Sequence, residues 1–390
     1  MMEDPYGWAS FIKDGPFRKF LTGMGLAGSG PALLPACAAA CALIAWLPLL
    51  LMSAAQGLAL GGPSQKIPFL LDFASHIRFL FAVPLLVIAE IPVRKRLGQT
   101  AGHFVSSGLV GAGDLPAFRS SFKTSAMLSN SIPALAVLMA LALLGLLGGA
   151  RMPLSHSMTW QMVRTGAMMR RTAAGWWYAA VSLPIYRFLL YLWLWRLAIW
   201  TWFLRRVSRM ELNLDPIHPD LAGGLGFLAL AQEPFGIIMF AGASVISAVL
   251  ARQIIFEGAS LLSFKALIIG YILLSLIVFL APLFLFTGKL YRLKKNGLFE
   301  YGAFASAYTR DFAQKWIKLK EGGSALGSAD IQSLSDLANS FQVVRKMRLI
   351  PLDLETFVPL IAGAIVPMLP LVLISFPLEE IVAKVLRLVL

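Results

Sequence analysis

Charged side chains are scarce in this 390-residue sequence. Asp, Glu, Lys and Arg make up 14% of the residues, hydrophobic types make up 58%, and the mean hydropathy is +0.74. An ordinary soluble domain carries about 25% charged residues, so that class is excluded. Long uncharged apolar runs of this kind belong in a lipid bilayer. The sequence therefore predicts an all-α fold, a polytopic integral membrane helix bundle that forms a single membrane domain over residues 1–390.

Cysteine is also rare, because only Cys37 and Cys41 are present. Both lie in an apolar run, so a disulfide framework is excluded, and two thiols are too few for a thiolate metal site. Buried cysteines of this kind act mostly as small packing residues. Phosphate-binding and dinucleotide-binding sequence patterns are absent as well. We therefore predict no metal and no cofactor. The first apolar run is too long for a secretory signal, so we expect no cleaved peptide.

Acidic residues are few, with 20 Asp and Glu against 34 Lys and Arg, which gives a net charge of +14. Of these basic residues, 22 fall in loops on one side of the predicted bundle and 8 on the other. Positive loops stay in the cytoplasm, so the excess is a topology signal and does not indicate nucleic-acid binding. The count predicts a bacterial cytoplasmic (inner) membrane protein with its N-terminus inside and its C-terminus outside.

Apolar runs of spanning length divide the chain into seven predicted transmembrane helices. These are residues 33–56, 68–91, 131–149, 176–203, 227–250, 262–288 and 354–376. The basic run Arg94-Lys95-Arg96 is predicted to end the second helix, and 97–130 to form a cytoplasmic connector. In 289–353, aromatic residues recur every four positions before a Gly-rich break, which predicts a cytoplasmic helical hairpin between the last two spans. Residues 1–32 and the tail after residue 376 are predicted to lie on the membrane surface.

Five of the ionisable residues within the predicted spans are candidates for transport or gating, because charges are costly in lipid and tend to face a bundle interior or water. They are Asp72, His76, Arg187, Arg196 and Glu233. Asp72 and His76 are four residues apart and share a helix face. Alternatively, that segment lies along the surface and these charges remain at the headgroups. Arg196 and Glu233 are each about 10 Å from the same end of neighbouring spans, so we expect them to pair.

The stretch 212–236 concentrates carboxylates, a histidine, prolines and glycines between the fourth and fifth spans. The residues of this loop cluster are Asp215, His218, Asp220, Gly223 and Gly224. Asp220 is predicted to cap a helix that begins at Leu221, where free backbone N–H groups would suit an anion or a neighbouring helix. The three ionisable side chains could hold a cation or shuttle a proton. The alternative is a proline-stiffened, capped turn.

Residues 150–175 contain methionines and His156, which form the soft ligand set that suits Cu(I). Arginines in the same segment would repel a cation, so the sequence favours an amphipathic interfacial segment, with methionine filling apolar contacts.

The intramembrane charges and the proline-interrupted seventh span favour a membrane pathway for an ion or small solute, either a channel or a secondary transporter. The alternative is a non-transporting membrane protein, either a lipid-modifying enzyme or an accessory subunit of a membrane complex. Catalysis is not indicated, since a second Asp/His-rich loop is lacking. The expected partners are the lipid bilayer, the solute and a further copy of the chain in a homo-oligomer.

Overall fold

The computed structural model describes residues 33–61, 67–148, 159–165, 168–318 and 328–375. These residues form nine long helices, several with short 3-10 or π segments, and one two-stranded hairpin. The elements are α1 (Leu33–Ala55), α2 (Phe73–Ser106), α3 (Leu115–Ser129), α4 (Ile132–Gly148), β1 (Met162–Thr165), β2 (Met168–Arg171), α5 (173–207), α6 (Phe227–Glu257), α7 (Leu261–Lys318), α8 (Ala329–Lys346) and α9 (Leu354–Ser375).

An all-α membrane bundle is confirmed in its coarse form. Among the described residues, α1, α2, α6, α7 and α9 are each long and apolar enough to span a membrane. Helices α3 and α4 meet at a short break with a bend of 42°, and counting this pair as one span raises the number of candidate spans to six. The aromatic helix α5 does not belong to this set, because its arginines, tryptophans and tyrosines lower its mean hydropathy. Length and composition thus support five or six spans.

Helix α2 does not end at the basic run Arg94-Lys95-Arg96, and that prediction is wrong. The helix continues to Ser106, and a further helix, α3, occupies part of the predicted connector. A helix satisfies its own backbone hydrogen bonds in lipid and in water alike, and Lys and Arg are good helix formers. Charge therefore marks where the chain leaves the hydrocarbon and does not stop the helix.

The predicted sixth span and the first arm of the predicted hairpin are one helix, α7, of 58 residues. At 1.5 Å per residue it is about 87 Å long, nearly three times the thickness of a hydrocarbon core of about 30 Å. Helix α8 packs against its distal part, where Lys315 Nζ lies 2.7 Å from Asp330 Oδ2 and the Tyr308 hydroxyl donates to the Asp330 carbonyl.

The core is built mainly from α1, α2, α5 and α6, with Trp193, Trp200 and Phe203 of α5 fully buried among them. Indole N–H groups are satisfied by backbone carbonyls of neighbouring helices, as when Trp193 Nε1 donates to the Leu86 carbonyl at 2.8 Å. This hydrogen bond fixes the register of α5 against α2, because an unpaired indole N–H in this core would be costly.

The backbones of helices α6 and α9 are in close contact at Gly236 and Gly363. A Cβ on Gly236 would lie 3.0 Å from the Pro359 carbonyl oxygen, and one on Gly363 would collide with the Gly236 backbone. Only glycine therefore fits at this crossing. In the same region α6 and α9 are interrupted by short 3-10 segments, at Glu233–Phe235 and Val366–Met368, and each segment contains a proline.

Several predicted segments lie outside the described residues. They are the N-terminal segment 1–32, the tail after residue 375, and His156 with its neighbouring methionines. Met162 and Met168, from the methionine-rich stretch, lie in β1 and β2, which pair antiparallel.

Candidate functional site

Asp72 is buried at the N-terminal end of α2. Its Oδ2 accepts hydrogen bonds from Ser75 Oγ at 2.8 Å and from Trp160 Nε1 at 2.9 Å. Its Oδ1 has no partner among the described residues. The carboxylate therefore joins the start of α2 to the segment before β1.

His76 shares the helix face with Asp72 but has its own partners. Its Nδ1 accepts from Trp46 Nε1 at 2.8 Å, while Nε2 lies 3.2 Å from the Leu70 carbonyl. A carbonyl only accepts, so Nε2 carries the proton and the ring is a neutral tautomer held at both nitrogens. Asp72 and His76 thus connect helices and loops at this end of the bundle through Asp72 Oδ2 and both ring nitrogens of His76.

Arg196 pairs with Glu90, so the predicted pairing with Glu233 is wrong. Arg196 Nη2 donates to Glu90 Oε2 at 3.0 Å, and the two side chains are only 3% and 8% exposed. The guanidinium also lies over the Trp193 ring, 5.0 Å from its centroid. Helix α2 presents the Glu90 carboxylate to the face of α5 that carries Arg196. Glu90 is not among the candidate residues predicted from the sequence.

Arg187, also on α5, is half-buried, and its Nη1 has no hydrogen-bond partner within the described part of the chain. It does not contact the other four intramembrane candidates through any described ion pair.

The loop cluster around Asp220 forms a tightly bonded turn. Asp220 Oδ1 accepts from the backbone N–H groups of Ala222 at 2.8 Å and Gly224 at 3.1 Å, and Oδ2 accepts from Gly226 at 2.7 Å. The next helix begins at Phe227, later than the predicted Leu221. Asp220 is therefore the centre of a turn that leads into α6. Its carboxylate already accepts from the backbone N–H groups that were predicted to be free to bind an anion.

The remaining members of the cluster are positioned by this turn. His218 Nδ1 lies 2.8 Å from Asp220 Oδ1, and Asp215 Oδ1 accepts from the Ile217 N–H. Burial opposes ionisation of Asp220, but the backbone hydrogen bonds and His218 outweigh it and hold the pKa of its carboxyl below 3.8. Within the described residues, no group of three or more His, Cys, Asp or Glu is placed to hold a metal ion.

The two glycines serve the turn and its packing on α7. Gly223 and Gly224 have φ values of +65° and +90°, which L-side chains rarely adopt. A Cβ on Gly223 would lie 2.8 Å from a Leu293 methyl carbon of α7. Arg348 Nη2 closes the turn from the other side by donating to the Asp220 carbonyl at 2.8 Å. These contacts support the capped-turn interpretation of the cluster.

A cleft of about 710 Å³ opens where α2, α6 and α9 meet. Each helix contributes residues spaced by three, four and seven positions, which lie on one helical face. From α2 come Pro92, Lys95, Arg96 and Gln99, from α6 Glu233, Ile237 and Phe240, and from α9 Pro359, Gly363 and Val366. The two 3-10 breaks and the Gly236–Gly363 crossing lie in its wall, so irregular backbone and the cleft coincide.

Charges in the cleft are gathered at one end. Arg96 Nη2 lies 3.4 Å from Glu233 Oε2, and these side chains are 40% and 39% exposed. Lys95 and Gln99 are exposed beside them. Glu233 is thus the one predicted intramembrane candidate that lines this cleft. Lys95, Arg96 and Gln99 were not predicted as site residues. The signal that could have found them is their helical spacing: polar side chains that recur on one helical face after the predicted end of a span indicate that the helix continues.

No protein-family model, no curated protein and no solved structure matches the chain.

Proposed function

We propose that the protein is a membrane pathway for a small solute, and that its substrate site is the cleft between α2, α6 and α9. The observation that carries the proposal is the presence of Lys95, Arg96, Gln99 and Glu233 in an otherwise apolar cleft at the helix breaks. Binding sites in membrane transporters are commonly formed where helices are interrupted, because non-helical backbone is tolerated only where protein or a cavity receives it.

The other charged groups favour the cleft indirectly. Asp72, His76 and Arg196 have partners in neighbouring elements, and the Asp220 carboxylate is occupied by backbone N–H groups. At His76, at the Arg196–Glu90 pair and at Asp220 a substrate would have to displace these bonds, whereas the half-exposed Arg96–Glu233 pair can exchange a partner at little cost. This comparison favours a pathway through the cleft over an enzyme acting through the Asp220 loop.

We further propose seven spans, with α5 as the fourth, and a cytoplasmic N-terminus. The core position of α5 supports its inclusion, and the 22 to 8 distribution of basic residues supports the orientation. In a Cys37→Ser/Cys41→Ser background, a cysteine at exposed Ser335 of α8 should react with an impermeant thiol reagent only from the cytoplasmic side. Reaction only from outside would overturn the orientation.

Cysteine accessibility in sealed vesicles tests the pathway without knowledge of the substrate. In the same background, Gln99→Cys should react with a small impermeant thiosulfonate from the side of the charged end. Ile237→Cys, deeper in the cleft, should react when reagent is added to either side, because a pathway exposes its centre alternately or simultaneously to both.

Met239→Cys is the matched control, since Met239 lies on the same helix but is only 1% exposed and does not line the cleft. It should stay unlabelled from both sides. Reaction of Ile237→Cys from one side only, with the control silent, would identify a blind pocket and refute the pathway.

A further inference from the structure

The cleft combines a cationic end with an apolar trough, and these two parts call for different chemistry in one ligand. Along α2 the lining residues run from Phe81 through Leu85 to Lys95 and Gln99. Phe81 and Lys95 are fourteen residues apart, which is about 21 Å at 1.5 Å per residue. One leaflet's share of the hydrocarbon core is about 15 Å. The trough is therefore long enough for a lipid-length chain.

The apolar part of the cleft is uncovered by the described protein. Phe81 is 42% exposed and Val366 is 45% exposed, while Phe240, Leu85 and Ile237 remain partly exposed. The Phe81 and Phe240 rings contact each other in a tilted arrangement, with ring centroids 5.9 Å apart and an interplanar angle of 55°. A volume of about 710 Å³ is within the range of about 300–1,000 Å³ that holds a small organic ligand.

The polar end carries an excess of positive charge. Lys95 and Arg96 face a single carboxylate, that of Glu233. The Arg96–Glu233 separation of 3.4 Å is longer than the 2.7–2.9 Å of a tight charge-assisted hydrogen bond. Within the described residues Lys95 has no hydrogen bond or ion pair. An anionic group at this end would give Lys95 a partner and compete with Glu233 for Arg96.

We infer that the cleft binds an anionic amphiphile from the membrane, with a single carboxylate- or phosphate-type head at Lys95 and Arg96 and its hydrocarbon chain along Phe81, Leu85 and Phe240. This inference rests on the proposed function and names its substrate class. An inorganic anion would use only the cationic end and leave the trough uncovered. A hydrophilic solute filling the trough would lose its hydration against Phe81 and Phe240 without compensating hydrogen bonds.

The test is photo-crosslinking of the purified full-length protein in nanodiscs with diazirine-labelled palmitic acid, compared with the uncharged diazirine-labelled hexadecanol. The acid should label peptides from α2, α6 and α9. Lys95→Gln should lower labelling by the acid roughly tenfold, the loss expected for one charged contact, and leave labelling by the alcohol unchanged. Arg205→Gln, which removes a cation from the end of α5 outside the cleft, is the control and should change neither.

Glu233→Gln should act in the opposite direction. It removes the carboxylate that competes for Arg96, so labelling by the acid should rise several-fold. A gain cannot result from misfolding, which keeps the test informative if Lys95→Gln reduces expression. Equal labelling by acid and alcohol, labelling outside the three helices, or reduced acid labelling in Glu233→Gln would each overturn the inference.

The two proposals fail in different ways. If Ile237→Cys reacts from both sides but the acid does not label the cleft, the pathway stands and the inference of an anionic amphiphile is wrong. If the acid labels the cleft but Ile237→Cys reacts from one side only, the amphiphile site stands and the pathway is wrong.

Discussion

Replacing Arg196 with methionine should destabilise the protein more than any single change at the exposed charges. Methionine fills a similar volume but leaves Glu90 buried without its counter-ion. The Arg196 and Glu90 side chains are 3% and 8% exposed, so water cannot replace the lost partner. The substitution also removes the guanidinium stacked on Trp193.

The magnitude follows from this burial. Removing one member of a buried ion pair costs about 3–5 kcal/mol, because the remaining charge stays desolvated. Glu90→Gln should cost nearly as much, since it leaves the Arg196 charge uncompensated. The double variant Arg196→Met/Glu90→Gln contains no buried charge at this position, and we expect it to recover at least about 2 kcal/mol of the summed loss. Arg96→Gln, at the half-exposed pair, should cost less than about 1 kcal/mol.

Equilibrium unfolding in mixed detergent micelles, followed by far-UV circular dichroism, gives the four free energies of this double-mutant cycle. A second cycle with Arg196→Met and Glu233→Gln should be additive within about 0.5 kcal/mol, because these residues are not paired. Additivity in the Glu90 cycle, or single losses under about 1 kcal/mol, would show that the buried pair contributes little and that our reasoning is wrong.

Asp220→Asn should cost about 1–3 kcal/mol, since an amide nitrogen cannot accept the Gly226 N–H. The pKa of Asp220 in the folded state is lowered below 3.8. Its contribution to the free energy of unfolding is therefore complete above that pH and is lost as the pH falls through the folded-state pKa. Unfolding curves measured over a pH series should show this loss in the wild type and a smaller loss in the variant. Gly363→Ala should lower the melting temperature because α6 and α9 must separate, whereas Gly270→Ala, whose Cβ meets nothing within 4 Å, should not. Asp72→Asn should cost about 1–3 kcal/mol and be non-additive with Trp160→Phe in thermal unfolding, and additivity there would argue against their hydrogen bond.

Hydropathy placed the bounds of some apolar helices well because the cost of exposing polar groups to lipid is a local property of the sequence. Helix α1 lies at Leu33–Ala55 where 33–56 was predicted, and α4 at Ile132–Gly148 where 131–149 was predicted. The continuation of α2 to Ser106 was missed, because hydropathy reports where a helix leaves the lipid and carries no information on where its hydrogen-bonded turns stop.

Partnerships between helices were harder to predict than depth. Arg196 was expected to be desolvated and paired, and it is, but two carboxylates, Glu90 and Glu233, lie at suitable levels. Which one it meets depends on how α2, α5 and α6 rotate and pack, and sequence spacing within one helix does not encode that. The cleft was missed for the same reason, since its three walls come from segments far apart in the chain.

The Arg196–Glu90 pair joins residues separated by 106 positions, and this separation matters while the protein is being made. At about 5–20 residues per second, the ribosome needs roughly 5–20 s to synthesise the chain between them. During that interval the helix bearing Glu90 has already emerged, and its carboxylate has no counter-ion. We therefore expect the insertion machinery to retain this helix beside a polar surface until the arginine arrives. Arg196→Met would then reduce the yield of inserted protein as well as the stability of the finished bundle.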